Sequence, residues 1–193
     1  MIWLRNLYDW TLSWAETRFG TWALFVVAIV EASFFIIPPD LLLIALCAGK
    51  PKKSYYFVAI CSLGSVLGGV IGYGIGWGLL ESVGMPILQG LGLENAFDVV
   101  GEKYRENAAI SIFLAAFTPI PYKVFTIAAG AFGVSLATFL LASICGRSLR
   151  FLIVGSALFF FGPKIKSFID AYFNLITIVF GVLLVGGFLY LGR

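Results

Sequence analysis

Residues 31–43 read EASFFIIPPDLLL, and the fold turns on how this stretch is read. The consecutive prolines, Pro38 and Pro39, remove two backbone donors and disfavour helix at the residues before them. They interrupt an apolar run over 22–49, longer than the ~20 residues of one bilayer crossing and shorter than the ~40 of two. The run therefore divides into 22–37 and 40–49, each short for a full crossing. A re-entrant hairpin is the simplest path: the chain dips toward the midplane, turns at Pro38-Pro39 and returns to the side it left. Irregular backbone at membrane depth must be satisfied by protein or by a water-filled cavity, so this tip does not face lipid.

The composition agrees with that setting. Of 193 residues, 61% are hydrophobic and 12% charged, about half the charge of a soluble domain, which marks an integral membrane protein. The net charge of +3 is spread over lysine pairs and lone arginines, so nucleic acid is not an expected partner. There is no histidine, which excludes histidine-ligated zinc, bis-histidine haem and any Ser-His or Cys-His dyad. Cys47, Cys61 and Cys145 lie in apolar runs without CxxC spacing and read as small buried hydrophobes. No metal and no cofactor is expected.

The rest of the chain extends this plan. In 1–19, Trp3, Leu7, Trp10 and Trp14 recur at helical spacing among Arg5, Asp9, Glu16 and Arg18, the pattern of an uncleaved amphipathic helix in the headgroup layer. After a loop holding Lys50, Lys52 and Lys53, residues 55–80 form a spanning helix whose Gly64, Gly68, Gly72 and Gly76 share one face and make a packing seam. The GYGIGWG stretch (72–78) lacks the strand and acid of a dinucleotide site. Residues 81–107 are the most polar, with Phe97, Val100 and Tyr104 opposing Asp98, Glu102, Arg105 and Glu106, which predicts a short surface helix. A second broken run, 108–132, carries Pro119 and Pro121; Pro119 precedes Gly130 by the spacing that separates Pro38 from Gly49, and AAG (128–130) matches CAG (47–49). Apolar segments follow at 135–161 and 169–191.

The fold expected is a single all-α membrane domain: an inverted repeat of two re-entrant hairpins, about 22–49 and 108–132, each followed by a transmembrane helix, with an interfacial helix before and a transmembrane helix after. Arg5, Arg18, Lys50, Lys52, Lys53, Lys164 and Lys166 fall on one side, against Lys103, Arg105 and Arg193 on the other. The richer side, with the N-terminus, is placed in the cytoplasm, so the hairpins enter from opposite leaflets, as in transporters that build a midplane site from broken helices.

Five charges fall within the apolar runs: Glu31, Asp40, Lys123, Arg147 and Arg150. Each, alone at the bilayer centre, costs roughly 2.5–3.5 kcal/mol, so they are expected to converge. Arg147 and Arg150 share a helix face, and Lys123 follows the second tip as Asp40 follows the first. Lys123, Arg147 and Arg150 are the candidate substrate-binding groups, since guanidinium forks match phosphate oxygens. Glu31 and Asp40 are the candidate proton-coupling groups, because burial and a nearby arginine shift a carboxylate in opposite directions. The alternative is mutual neutralisation that merely docks the hairpins.

The stretches E-x-x-F-x-x-x-P-P-D-L-L-L from Glu31, F-T-P-I-P-Y-K…A-A-G from Phe117 to Gly130, and G-R-S-L-R-F from Gly146 resemble the DedA superfamily, also called the VTT or SNARE-associated domain, and in particular its YqaA-like bacterial branch. The resemblance covers about 20–162. It implies two facing re-entrant hairpins, movement of lipids between leaflets (undecaprenyl phosphate in some bacterial members, phospholipid scrambling in eukaryotic relatives), and dependence on acids of the first hairpin and bases of the second. Asp40 matches the acid ending the first tip and Glu31 the upstream acid. Where the family reads R-F-x-P-x-x-R, this chain has Ala116 in place of the first base, and its base after the proline, Lys123, comes one position late; Arg147 and Arg150 are the candidates to supply the missing charge. The partner expected is a membrane lipid with a phosphate headgroup. Homo-oligomerisation is left open. The rival readings are an ion- or proton-coupled small-solute transporter and a non-transporting membrane organiser; an intramembrane enzyme, lacking histidine and metal ligands, is not expected.

Overall fold

The structure is a computed structural model that describes residues 19–33, 38–118 and 120–162. All regular elements among these residues are helical. The interfacial helix expected over 1–19 (but for Phe19), the first tip up to residue 37, Pro119 and the closing helix over 169–191 lie outside them.

The first broken pair is α1 (Gly20–Ser33) and α2 (Pro39–Gly49). Pro38 is extended (φ −67°, ψ 126°), Pro39 opens α2, and Asp40 lies in its first turn. Proline fits there because the first-turn N–H groups have no intrahelical acceptor, and the carboxylate meets the positive end of the helix dipole. The prolines thus start the second helix as much as they end the first.

Helix α3 (Ser54–Leu79) runs on through a π turn at Leu80–Gly84 into α4 (Met85–Leu91), making one continuous helix from Pro51 to Leu91 of 41 residues. This corrects the expected end near residue 80. The wide turn, in which the Met85 N–H donates to the Leu80 carbonyl, brings Pro86 into the first turn of α4, where its missing donor costs little. Exposed Glu81 and Ser82 sit on the helix without ending it. The stop comes at Gly92, whose φ of 65° allows the Leu93 N–H to reach back to the Leu88 carbonyl at 3.0 Å.

Helix α5 (Glu94–Glu106) is the polar surface helix. It is held by Phe97 and Tyr104, whose rings lie 5.0 and 5.3 Å from that of Phe132, and by Arg105 Nη1, which donates to the Phe132 carbonyl at 3.0 Å. Val100, expected on the inner face, is exposed; Gly101 is buried against Phe132 instead.

The second broken pair is α6 (Ala108–Phe117) and α7 (Tyr122–Ala131), followed by α8 (Leu136–Phe161). Pro121 is extended ahead of α7, as Pro38 is ahead of α2. The Ser135 hydroxyl caps α8 by accepting from the Thr138 N–H.

Packing follows one scheme in both halves. α1 lies on α3 and α6 on α8; α7 rests against α3 and α2 against α8; and α3 and α8 pack on each other. The glycine seam explains how α3 serves two neighbours. A Cβ at Gly64 or Gly68 would strike the backbone of α1, and one at Gly72 or Gly76 would strike Thr126 or the Ile127 carbonyl of α7. In α8, a Cβ at Gly146 would strike Ala116 of α6.

Two apolar cores result. One joins Leu24, Leu43, Leu46, Phe57 and Phe151; the other joins Ala32, Ile112, Tyr122, Ala129 and Phe139. The outward faces are apolar too: Leu63, Leu67 and Ile71 of α3 and Leu141, Leu149 and Ile153 of α8 are exposed. Apolar outside and small or charged inside is the polarity expected of a bundle in lipid. The two long helices, Pro51–Leu91 and Leu136–Phe161, are long and apolar enough to cross a membrane. Cys47 and Cys61 are buried as expected, whereas Cys145 is exposed on the outer face of α8, where a small apolar thiol suits lipid.

Candidate functional site

The charges meet between the two cores. Arg147 and Arg150 project from the middle of α8, whose 26 residues span ~39 Å at 1.5 Å per residue. Arg147 is buried, 2% exposed, and its Nη2 donates to Glu31 Oε2 of α1 at 2.7 Å. Its Nε donates to the hydroxyl of Ser65 on α3. The guanidinium lies 4.9 Å from the Tyr122 ring and 5.0 Å from the Phe151 ring, one ring from each core, so cation–π attraction replaces part of its lost hydration. Glu31, Ser65, Tyr122 and Arg147 thus draw on α1, α3, α7 and α8.

Arg150, one turn on, holds Asp40 with a two-pronged fork: Nε to Oδ1 at 3.2 Å and Nη2 to Oδ2 at 2.8 Å. Its Nη1 donates to the Thr118 carbonyl at 2.8 Å. That carbonyl belongs to the break between α6 and α7, as Asp40 belongs to the start of α2. One side chain therefore ties both helix breaks together. Such forked, charge-assisted bonds are about twice as strong as neutral ones.

Of the five charges singled out from sequence, four form two one-to-one pairs. Lys123 stands part-buried in the first turn of α7, beside Tyr122, and neither of these two pairs includes it. Pro38, Pro39 and Pro121 flank the breaks that Arg150 joins. Ala116, standing where the resembling pattern has a base, is fully buried against the backbone next to Arg147 and leaves no room for a long side chain; the guanidinium there comes from α8. Ser65, Tyr122, Phe151 and the Thr118 carbonyl were not singled out from the sequence. Ser65 had one available signal, its place among the glycines of the α3 seam. No cluster of three or more metal-ligating side chains occurs among the described residues.

The model of the VTT domain matches residues 37–160, from just before α2 nearly to the end of α8. The chain belongs to the VTT domain family. This is the domain of the DedA proteins, which are membrane proteins, and the apolar outer faces described above fit that membership. The VTT match takes in Asp40, Arg147 and Arg150 and begins after Glu31. An uncharacterized protein of Haemophilus influenzae is 35% identical over 159 residues, covering 82% of this chain and 82% of its own. An uncharacterized protein of Histophilus somni is 34% identical over 152 residues, covering 77% of this chain and 78% of its own. No solved structure matches.

Proposed function

We propose that this VTT protein moves a lipid phosphate, a polyprenyl carrier such as undecaprenyl phosphate or a phospholipid, between the leaflets of the bacterial inner membrane. The observation that carries this is the pairing of two mid-helix arginines with carboxylates drawn from the other half of the bundle. A pair that served only to hold helices would be a poor choice, since buried ion pairs stabilise less than apolar packing. Carboxylates that occupy guanidinium forks are, however, apt placeholders for phosphate, which presents the same forked oxygens.

In this reading Glu31 and Asp40 keep Arg147 and Arg150 neutralised at rest. A proton taken up by either acid removes the competing charge and frees its arginine for the headgroup; loss of the proton drives the headgroup out. Proton movement and phosphate movement are thereby coupled without histidine. Lys123, at the start of α7, adds a third cation on the second break. The two broken pairs act as re-entrant hairpins of an inverted repeat entering from opposite leaflets, with the N-terminus cytoplasmic. The common packing scheme of the two halves and the meeting of their breaks at Arg150 support that arrangement. No bond of the lipid is made or broken.

The test is leaflet exchange in proteoliposomes with a fluorescent polyprenyl phosphate and with the corresponding neutral alcohol. Wild type exchanges the phosphate and not the alcohol, and Asp40→Asn, which leaves no carboxylate to displace the headgroup from Arg150, slows exchange by about tenfold or more, the size of one charge-assisted contact. Equal exchange of both lipids, or of one lipid by both proteins, rejects the proposal.

A further inference from the structure

Two buried hydroxyls beside Arg147, Tyr122 Oη and Ser143 Oγ, have no hydrogen-bond partner among the described residues other than each other. Tyr122 is 1% exposed and Ser143 0%. Tyr122 carries one of the rings facing the guanidinium, and Ser143 stands one turn before Arg147 on the same face of α8. The hydroxyls lie close enough to bond each other, and among the described residues neither has any other partner. Hydroxyls buried in this way are normally satisfied, and each exception asks for an explanation. A packing role does not supply one, because phenylalanine and alanine would fill the same space without burying two hydroxyls.

The chemistry around them is selective. Tyr122, Ser143, Ser65 and Arg147 all offer donors, and among the described residues the one carboxylate bonded to Arg147 is Glu31. A set of neutral donors around a guanidinium suits an oxyanion with several acceptor oxygens. We propose that Tyr122 and Ser143 are the neutral donors of a phosphate site whose cation is Arg147, filled when Glu31 releases the guanidinium. The inference rests on the lipid-phosphate reading above and goes beyond it by locating the headgroup. It sits on the Tyr122 side of Arg147, and the hydroxyls set apparent affinity while the arginine–acid exchange drives movement.

The experiment uses the full chain in detergent and in proteoliposomes. Binding is read as thermal stabilisation by inorganic phosphate, by a short-chain polyprenyl phosphate and by the matching alcohol. Both phosphates stabilise the wild type and the alcohol does not. Tyr122→Phe and Ser143→Ala each weaken phosphate stabilisation by about tenfold in concentration, one lost hydrogen bond. They shift the lipid concentration for half-maximal exchange alike, while the saturated rate is kept. Without ligand each variant loses no more than the mutual contact of the two hydroxyls, so melting stays close to wild type, and Ser143→Thr retains wild-type binding. Stabilisation by the lipid phosphate alone still supports the site and names its source as lipid, whereas stabilisation by the alcohol or by neither phosphate overturns it. So does unchanged affinity in both hydroxyl variants, or a loss of affinity matched by a loss of ligand-free stability. Phosphate binding through these hydroxyls with no leaflet exchange would instead sink the transport reading and leave the site standing.

Discussion

Replacing Arg147 with glutamine lowers stability by about 3–5 kcal/mol, the cost of leaving one member of a buried ion pair alone. The loss is large because Arg147 is buried and Glu31 half-buried, so the stranded carboxylate has little water to turn to. The guanidinium's contact with Ser65 and its place between the Tyr122 and Phe151 rings go as well. Glu31→Gln added to Arg147→Gln restores most of the stability, since the two amides neutralise the site together; this non-additivity is the signature of direct coupling. Thermal unfolding of the four proteins of the cycle in one detergent measures it. Additive losses would mean that the two side chains do not act on each other.

The second large effect lies in the glycine seam. Gly76→Leu costs more than about 3 kcal/mol, the upper end of overpacking penalties, and folded protein fails to accumulate in the membrane. The obstacle at Gly76 is the Ile127 backbone, and Gly130 meets the backbone of Tyr73 from the other side, so no rotamer change can make room. Gly74 and Gly78, on the same helix, face open space, and Gly74→Leu accumulates as wild type does. Immunoblotting of membranes after equal expression separates the two positions. Equal accumulation of both variants would show that α3 and α7 do not approach as closely as described.

Much of this architecture was legible in the sequence because its signals are local. Pro38-Pro39 and Pro121 restrict their own backbone, and the four-residue glycine repeat marks a helix face wherever it occurs. The extent of the helix ending at Leu91 was not legible, because polar residues at 81 and 82 suit an exposed helix as well as a loop. A π turn that accommodates Pro86 leaves no composition signature. At the site, the high cost of single charges in an apolar setting grouped Glu31, Asp40, Lys123, Arg147 and Arg150. Which acid meets which arginine depends on how α1 and α2 lie against α8, a long-range property. The same holds for Tyr122, one aromatic among many in the sequence, whose place under Arg147 follows only from the packing of α7 on α3.

The double variant that removes the pair without stranding either partner also isolates its function. Leaflet exchange of a fluorescent polyprenyl phosphate by Glu31→Gln/Arg147→Gln in proteoliposomes is the decisive measurement. If the pair exists to trade its carboxylate for a phosphate, this variant assembles at wild-type levels and exchanges nothing above empty liposomes. Wild-type exchange rates from it would contradict the account.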